Sequence, residues 1–234
     1  MVLTFDHGPL GMAPLYNHGH ADALSITLSV DKKEILVDPG TYRYNGEPTY
    51  RKYFKGTRAH NTVTIDRLDQ AVLETGFIWS RPYNAKLVKS VEKNSSLFLQ
   101  AYHDGYMRIK EPIRHFRSIV YFDKSNFFIK DTFSGKGVHD FELNYHVHPD
   151  SEVTLEDNGW WKINHQGAEI FIRLLDGNNF NIIRGQKNPL FGWYSPSYGI
   201  KSESSVLSCI MRGTPQEVSL TTAIFIHSPK KINT

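Results

Sequence analysis

The chain has 234 residues, of which 40% are hydrophobic, 13% aromatic and 22% charged, and its formal net charge is +3. So small a charge, with no Lys/Arg run, excludes electrostatic nucleic-acid binding as the organising function, and no stretch reaches the roughly eighteen consecutive apolar residues of a membrane-spanning helix. The single cysteine, Cys209, excludes an internal disulfide and any cysteine-built metal centre, while the length suits one large all-β domain over residues 1–234.

In chain order, the opening Met1-Val2-Leu3-Thr4-Phe5-Asp6 has neither a basic region, a long apolar core nor a cleavage site, so no secretion signal is read there. The densest chemistry follows in Asn17-His18-Gly19-His20-Ala21-Asp22, then Val37-Asp38-Pro39-Gly40 and Ala59-His60-Asn61-Thr62. In an extended backbone His18 and His20 point the same way, and Gly19 between them lets the chain approach a ligand closely. Two neutral imidazoles and one carboxylate make a divalent-metal set with a position left for water or substrate. The alternative is a pair of ordinary loop histidines bonded to backbone.

Residues 24–30 alternate apolar and polar, the mark of a half-buried strand, and 35–37 should pair with them through a turn about Asp31-Lys32-Lys33-Glu34. A plain hairpin sets Asp38 opposite Thr27, away from His20, so a joint metal site requires a bend before Leu24. Residues 41–57 mix Tyr42, Tyr44, Tyr50, Tyr53 and Phe54 with Arg43, Arg51, Lys52 and Lys55 without clean alternation. They read as a long functional loop able to stack on sugars and pair with carboxylates or sulfates, or as a tyrosine-rich loop packed on a sheet.

A strand resumes at 60–66, and further β-like runs occupy 86–91, 97–102, 116–122, 126–133, 141–148, 152–156, 160–163, 169–175, 180–184, 206–211 and 219–227. Separators such as Asp157-Asn158-Gly159 and Asp176-Gly177-Asn178-Asn179 are turn chemistry. Many short strands at this spacing predict a large antiparallel β-sandwich, with no long amphipathic helix. Arg114-His115-Phe116-Arg117-Ser118 is expected to open a strand with its charges toward solvent. Tyr145-His146-Val147-His148 reads as a structural cross-strand pair, and Trp160-Trp161 as half core, half edge, or else a sugar platform. No nucleophile elbow or phosphate loop is present, and no carboxylate pair is singled out for glycoside hydrolysis.

The ordered series Gly8-Pro9-Leu10-Gly11, His18-Gly19-His20-Ala21-Asp22-Ala23-Leu24-Ser25, Leu36-Val37-Asp38-Pro39-Gly40-Thr41-Tyr42, Tyr53-Phe54, Ala59-His60-Asn61-Thr62-Val63 and Asp69-Gln70 resembles the heparinase II/III family of polysaccharide lyases. The later Gly192-Trp193-Tyr194-Ser195-Pro196-Ser197-Tyr198-Gly199 fits the same family. The resemblance implies the β-sandwich part of a lyase that cuts a uronic-acid polysaccharide, of heparin/heparan sulfate or alginate type, by β-elimination. It implies a catalytic role for His18, substrate contacts for Asn17, Tyr50, Arg51 and Tyr53, and a structural divalent ion, zinc in some relatives, on His20, Asp38 and His60. It also implies a partner, the N-terminal helical toroid domain of a longer parent protein, which contributes an acid/base tyrosine and a carboxylate-neutralising Asn or His. The isolated chain would then hold half of an active site, and the parent would be periplasmic or secreted. Two other readings stand beside this one: a non-catalytic carbohydrate-binding module, and a module that only docks against a helical partner.

Overall fold

The computed structural model describes residues 1–227, so the last seven residues of the expected 1–234 unit lie outside the described part. Strand takes up 51% of the structure and helix 7%, as expected for an all-β sandwich. An eight-stranded antiparallel sheet runs in the order Glu152–Leu155, Trp161–His165, Ala168–Leu174, Ser219–Phe225, Asn126–Gly135, Ile113–Phe122, Ser96–His103, Ala85–Lys93. A four-stranded sheet, Asn181–Arg184, Ser205–Gly213, His139–His146, Val63–Ile65, accompanies it. The strands Val2–Phe5, Ile26–Val30 and Lys33–Leu36 form a third small sheet.

Period-two patterning explains the layers. Strand Ile113–Phe122 buries alternate residues, and its Ile113 and Ile119 join Ile129, Phe133, Ile170 and Leu220 in a core shared with Phe141, Leu143, Leu207 and Cys209 of the four-stranded sheet. Each such apolar side chain contributes about 1.5–3 kcal/mol when fully buried. Cys209 is a free, buried thiol within this core.

The same strand overturns one expectation. His115 and Arg117 occupy its inward positions and are fully buried, not turned to solvent. Arg117 is bidentate to Asp131, with Nε at 2.8 Å and Nη2 at 3.0 Å, and His115 Nε2 meets the same carboxylate at 2.6 Å. His103 Nε2 in turn lies 3.2 Å from His115 Nδ1. Alternation places residues on a face but does not say which face is the core. A charged residue can take the inward face when a buried counter-charge meets it, and the sequence pattern carries no sign of that pairing.

The 41–57 segment also differs from a loop, because Pro48–Lys55 is an eight-residue α-helix. Proline at its start fits the first turn, where no intrahelical N–H bond is lost. Tyr50, Tyr53 and Phe54 follow at i, i+3 and i+4 spacing and pack with Tyr42, Phe191 and Trp193 in a second cluster.

Candidate active site and metal centre

The turn-rich edge formed by residues 6–80 is positioned from below by braces that are themselves part of the sequence motif. Asn61 is buried and its amide nitrogen donates to Ile26 O at 2.7 Å and Val37 O at 3.0 Å, while its oxygen accepts from His146 N at 2.6 Å. Gln70 closes both backbone groups of Ala23 at 2.8 and 3.0 Å, and Thr62 donates to Ala23 O at 3.0 Å. Arg117 Nη1 reaches from the large sheet to Leu24 O at 2.7 Å and Asn61 O at 2.6 Å. These bonds lock three separate segments in one register.

The required bend is present. Leu24 adopts φ 63, Ser25 N–H closes a turn on Asp22 O at 2.9 Å, and the strand begins only at Ile26. That reversal brings His20 back over Asp38. The hairpin beyond it turns on Asp31 and Lys32, at φ 50 and 63, so the tight turn forms with lysine where glycine would fit more easily.

His20, Asp22, Asp38 and His60 each offer one ligand atom within 4.8 Å of the others. His60 is fully buried and its Nδ1–H donates to Gly56 O at 2.8 Å, which leaves Nε2 as the ring atom turned toward His20 and Asp38. That atom lies 3.3 Å from His20 Nδ1 and 3.6 Å from Asp38 Oδ2. Tetrahedral zinc with metal–nitrogen bonds near 2.0–2.1 Å sets its ligands about 3.3–3.5 Å apart, so the donor set fits such an ion. The Gly56 carbonyl would hold His60 from outside in the way metal-bound imidazoles are usually held.

The electrostatics suit a cation. Burial, reinforced by His60, Arg51 and Lys55, holds the His20 imidazole well below its ordinary pKa and therefore neutral at pH 7. Asp22 is pushed up to about 6 by burial and by Asp6 and Asp38, against the pull of His60. Asp22 was a member of the dense sequence segment without a ligand role. Nothing in spacing alone separates it from the others, since only the turn at 22–25 faces it inward.

Gly19 does different work from that expected. A Cβ there would fall 1.7 Å from Leu10 O, so the glycine permits the histidine-bearing turn to seat on its own chain rather than on a ligand. The backbone at 17–18 is a turn, and the two imidazoles meet different neighbours: His20 meets His60, whereas the exposed His18 ring stands edge-on to Tyr44 at 5.9 Å. Asn17 contributes its carbonyl to Lys55 Nζ at 3.1 Å and lines a surface hollow with His18. Burial and the nearby Arg51 bring Lys55 down to about 8.

Tyr44 is the centre of an exposed aromatic face. It lies 6.0 Å from Phe77 and 5.8 Å from Tyr198, and the Arg51 guanidinium sits over its ring at 4.9 Å. Arg51 is 3% exposed, its Nε donates to Gly76 O at 3.1 Å, and both terminal nitrogens are buried without a partner. Tyr50 packs between Tyr42 and Trp193 with Lys201 Nζ 4.2 Å above its ring. Tyr53 is buried, and its hydroxyl accepts from Gly192 N at 3.1 Å and Trp193 N at 3.2 Å, tying the helix to the Gly192–Tyr198 run. That run also braces the metal edge: Ser195 N–H donates to Pro39 O at 2.8 Å, and Gly40, at φ 77, leaves no room for a Cβ beside Ser195 O.

The other sequence candidates lie elsewhere. His146 is buried and its Nε2 meets Arg58 O at 3.0 Å, while His148 stacks on His165. Trp161 packs against the core and Trp160 against Phe225 at 4.9 Å, the structural arrangement of that pair.

The fold and the edge together define a β-sandwich module whose reactive groups gather on one braced turn region. Its family follows from comparison: the profile for heparinase II/III-like proteins, C-terminal, matches residues 1–229, and the chain belongs to that family. The fold matches the heparan sulfate lyase HepC from Pedobacter heparinus with a TM-score of 0.75 at 16% identity, over 98% of this chain and 33% of that one. A heparinase III, the BT4657 gene product, gives 0.74 at 21% identity over 95% and 32%, and another heparinase III gives 0.70 at 17% over 92% and 31%. At these identities the likeness is one of fold, and the chain spans about a third of the length of these solved proteins. No curated protein matches the sequence.

Proposed function

We propose that residues 1–234 form one module, the β-sandwich half of a polysaccharide lyase that cleaves a uronic-acid-containing polymer by β-elimination. The observation that carries this reading is the exposed His18 beside Tyr44, with the buried Arg51 guanidinium, anchored through Nε to Gly76 O, over the same ring. Sugar faces stack on aromatic rings, and a guanidinium over such a ring holds it by a cation–π contact. The carboxylate-neutralising Asn or His of the helical toroid domain would draw charge from the uronate so that its C5 proton becomes acidic, His18 would accept that proton, and Arg51 would hold the Tyr44 ring in place beneath the polymer. The C5–H electron pair then forms the C4–C5 double bond as the C4–O4 bond breaks, and O4 leaves with a proton supplied from the helical toroid domain. Asn17 and Tyr50 border this surface, and Tyr53 supports it from inside.

His20, Asp38 and His60, with Asp22, would hold a divalent ion of the zinc class. Its chemistry here is structural: it ties three chain segments beneath His18. The polymer is taken to be of glycosaminoglycan or alginate type, and the parent protein to act in the periplasm or outside the cell.

The test uses the longer parent protein on a panel of uronic polysaccharides, read by the ultraviolet absorbance of the unsaturated product. His18→Ala should abolish turnover with folding intact, and Arg51→Gln should raise KM by more than tenfold. Full activity in His18→Ala removes the catalytic assignment. Binding of polymer without any absorbance change by the wild-type protein would favour the non-catalytic module instead.

A further inference from the structure

A second group of imidazoles and a carboxylate lies outside the site described above. After the strand His139–His146, the segment His148-Pro149-Asp150-Ser151 makes a turn closed by Ser151 N–H on His148 O at 3.0 Å. Pro149 sits where a turn wants a fixed φ, and the turn carries Asp150 back toward His148. His165 ends the strand Trp161–His165 of the large sheet. One ligand atom of each of His148, Asp150 and His165 lies within 4.8 Å of the others, and the two rings are stacked at 4.0 Å with their planes 15° apart.

His165 is the telling member. It is 5% exposed, and its Nδ1–H donates to Glu34 O at 2.6 Å, which leaves Nε2 as its remaining ring nitrogen. That nitrogen is buried and has no partner. A buried acceptor left unmet costs about 1–3 kcal/mol. A ring fixed by a backbone carbonyl through one nitrogen and bare at the other is the usual state of a metal-ligating imidazole.

We propose that His148, Asp150 and His165 form a second divalent-metal site, of the two-imidazole, one-carboxylate type that suits zinc, which pins the 148–151 turn to the eight-stranded sheet. Two parallel stacked rings cannot both aim a nitrogen at one ion, so one ring must turn. His148 is that ring: it is half-buried, packs on His165 and Tyr194, and its side-chain hydrogen bond is the 3.3 Å one from Asp150 N–H, a donor that water can satisfy once released. His165 is already set. Asp150 is exposed and needs only a rotamer change.

Calorimetric titration of the metal-stripped protein with zinc chloride tests the site independently of any lyase activity. The wild type should bind two equivalents, His60→Gln should keep one, and His148→Ala should lose one while the centre at His20 and His60 stays filled. His165→Gln should also lose one, and Asp150→Asn should weaken the second equivalent at least tenfold, with far-ultraviolet dichroism confirming the fold of each variant. If His60→Gln binds no zinc, or if His148→Ala and Asp150→Asn both bind as the wild type does, the second site does not exist.

Discussion

Two histidine–carboxylate groups in this molecule use the same residue types to opposite ends. In the interior, His103, His115, Asp131 and Arg117 form a closed chain: each carboxylate oxygen of Asp131 is met, and Arg117 Nη1 spends its two donors on Leu24 O and Asn61 O. At the edge, His60 is anchored by one nitrogen, and the other faces His20 and Asp38 with no proton between them assigned by geometry. What separates structure from chemistry is therefore the occupant of the second nitrogen, not the residue list. A saturated group holds a fold in place, and the edge group has the donor set that the proposed ion would need.

The largest expected effect comes from opening the closed group. Asp131→Asn leaves the Arg117 charge buried with half of its pairing, and breaking a buried pair in this way costs about 3–5 kcal/mol. Urea titration should show that loss, and because Arg117 also holds Leu24 and Asn61, zinc stoichiometry at the edge should fall with it. A variant that loses stability but keeps full metal binding would show that the two groups are mechanically independent.

Acid should act on the closed group in the same sense. Burial alone raises the Asp131 carboxyl, but Arg117 and His115 overcome it and hold it below its ordinary value, so its contribution is present above the unfolded pKa and is lost as pH falls through the folded one. Burial depresses both His103, with His115 and Arg117 adding, and His115 below the ordinary 6.5. Below that pH the unfolded chain binds protons that the folded chain refuses, so stability declines as pH drops from about 6.5 toward the carboxylate range. Thermal melting across pH 2–8 should show a level Tm down to about pH 6.5 and a falling one below it, and Asp131→Asn should flatten the part below about pH 4. A Tm that rises on acidification would contradict the burial of these groups.

The open group should respond to metal rather than to protons in the core. Stripping the ion from a protein held at a hundredfold excess over Kd removes about 2.7 kcal/mol. Chelation should therefore lower the wild-type Tm by several degrees and lower that of His60→Gln by less, since that variant keeps only the second ion. Gly19→Ala is expected to fall in the same range, about 1–3 kcal/mol, since the added methyl meets the Leu10 carbonyl and must push the histidine turn off its seat. Its sharper sign is a weakened zinc affinity in excess of any change in Tm.

Much of the sheet architecture was legible because alternation with period two is a local property. The runs from 86 to 225 appear as strands within a few residues of their expected ends, and the turn at Asp31-Lys32 forms where it was read. The helix Pro48–Lys55 was missed although Pro48 and the Tyr50, Tyr53, Phe54 spacing announce it, because eight residues give only two turns of signal amid tyrosines that suit a strand equally well. His20, Asp38 and His60 could be named in advance, but their meeting depends on Leu24 in a left-handed conformation, which no residue type there demands. Asp22, the bare nitrogen of His165 and the inward turn of Arg117 are products of tertiary register. Each rests on a contact between segments more than a dozen residues apart, and a pattern read along the chain is blind to that.

The smallest effect on stability belongs to the outer ring of the open region. Tyr198 is 63% exposed and touches Tyr44 at 5.8 Å without filling any core space. Tyr198→Ala should leave unfolding free energy within about 0.5 kcal/mol of the wild type. An aromatic partner for a sugar face is worth about 1 kcal/mol, so the same variant of the parent protein should raise KM for the polymer roughly fivefold with kcat little changed. On the proposed function that split follows from placement: Tyr198 would meet the ground state and the transition state of the polymer alike, whereas His18 would meet the proton that moves. A fall in kcat with KM unaltered would move Tyr198 out of the binding face and into support of His18 through Tyr44, the ring they share.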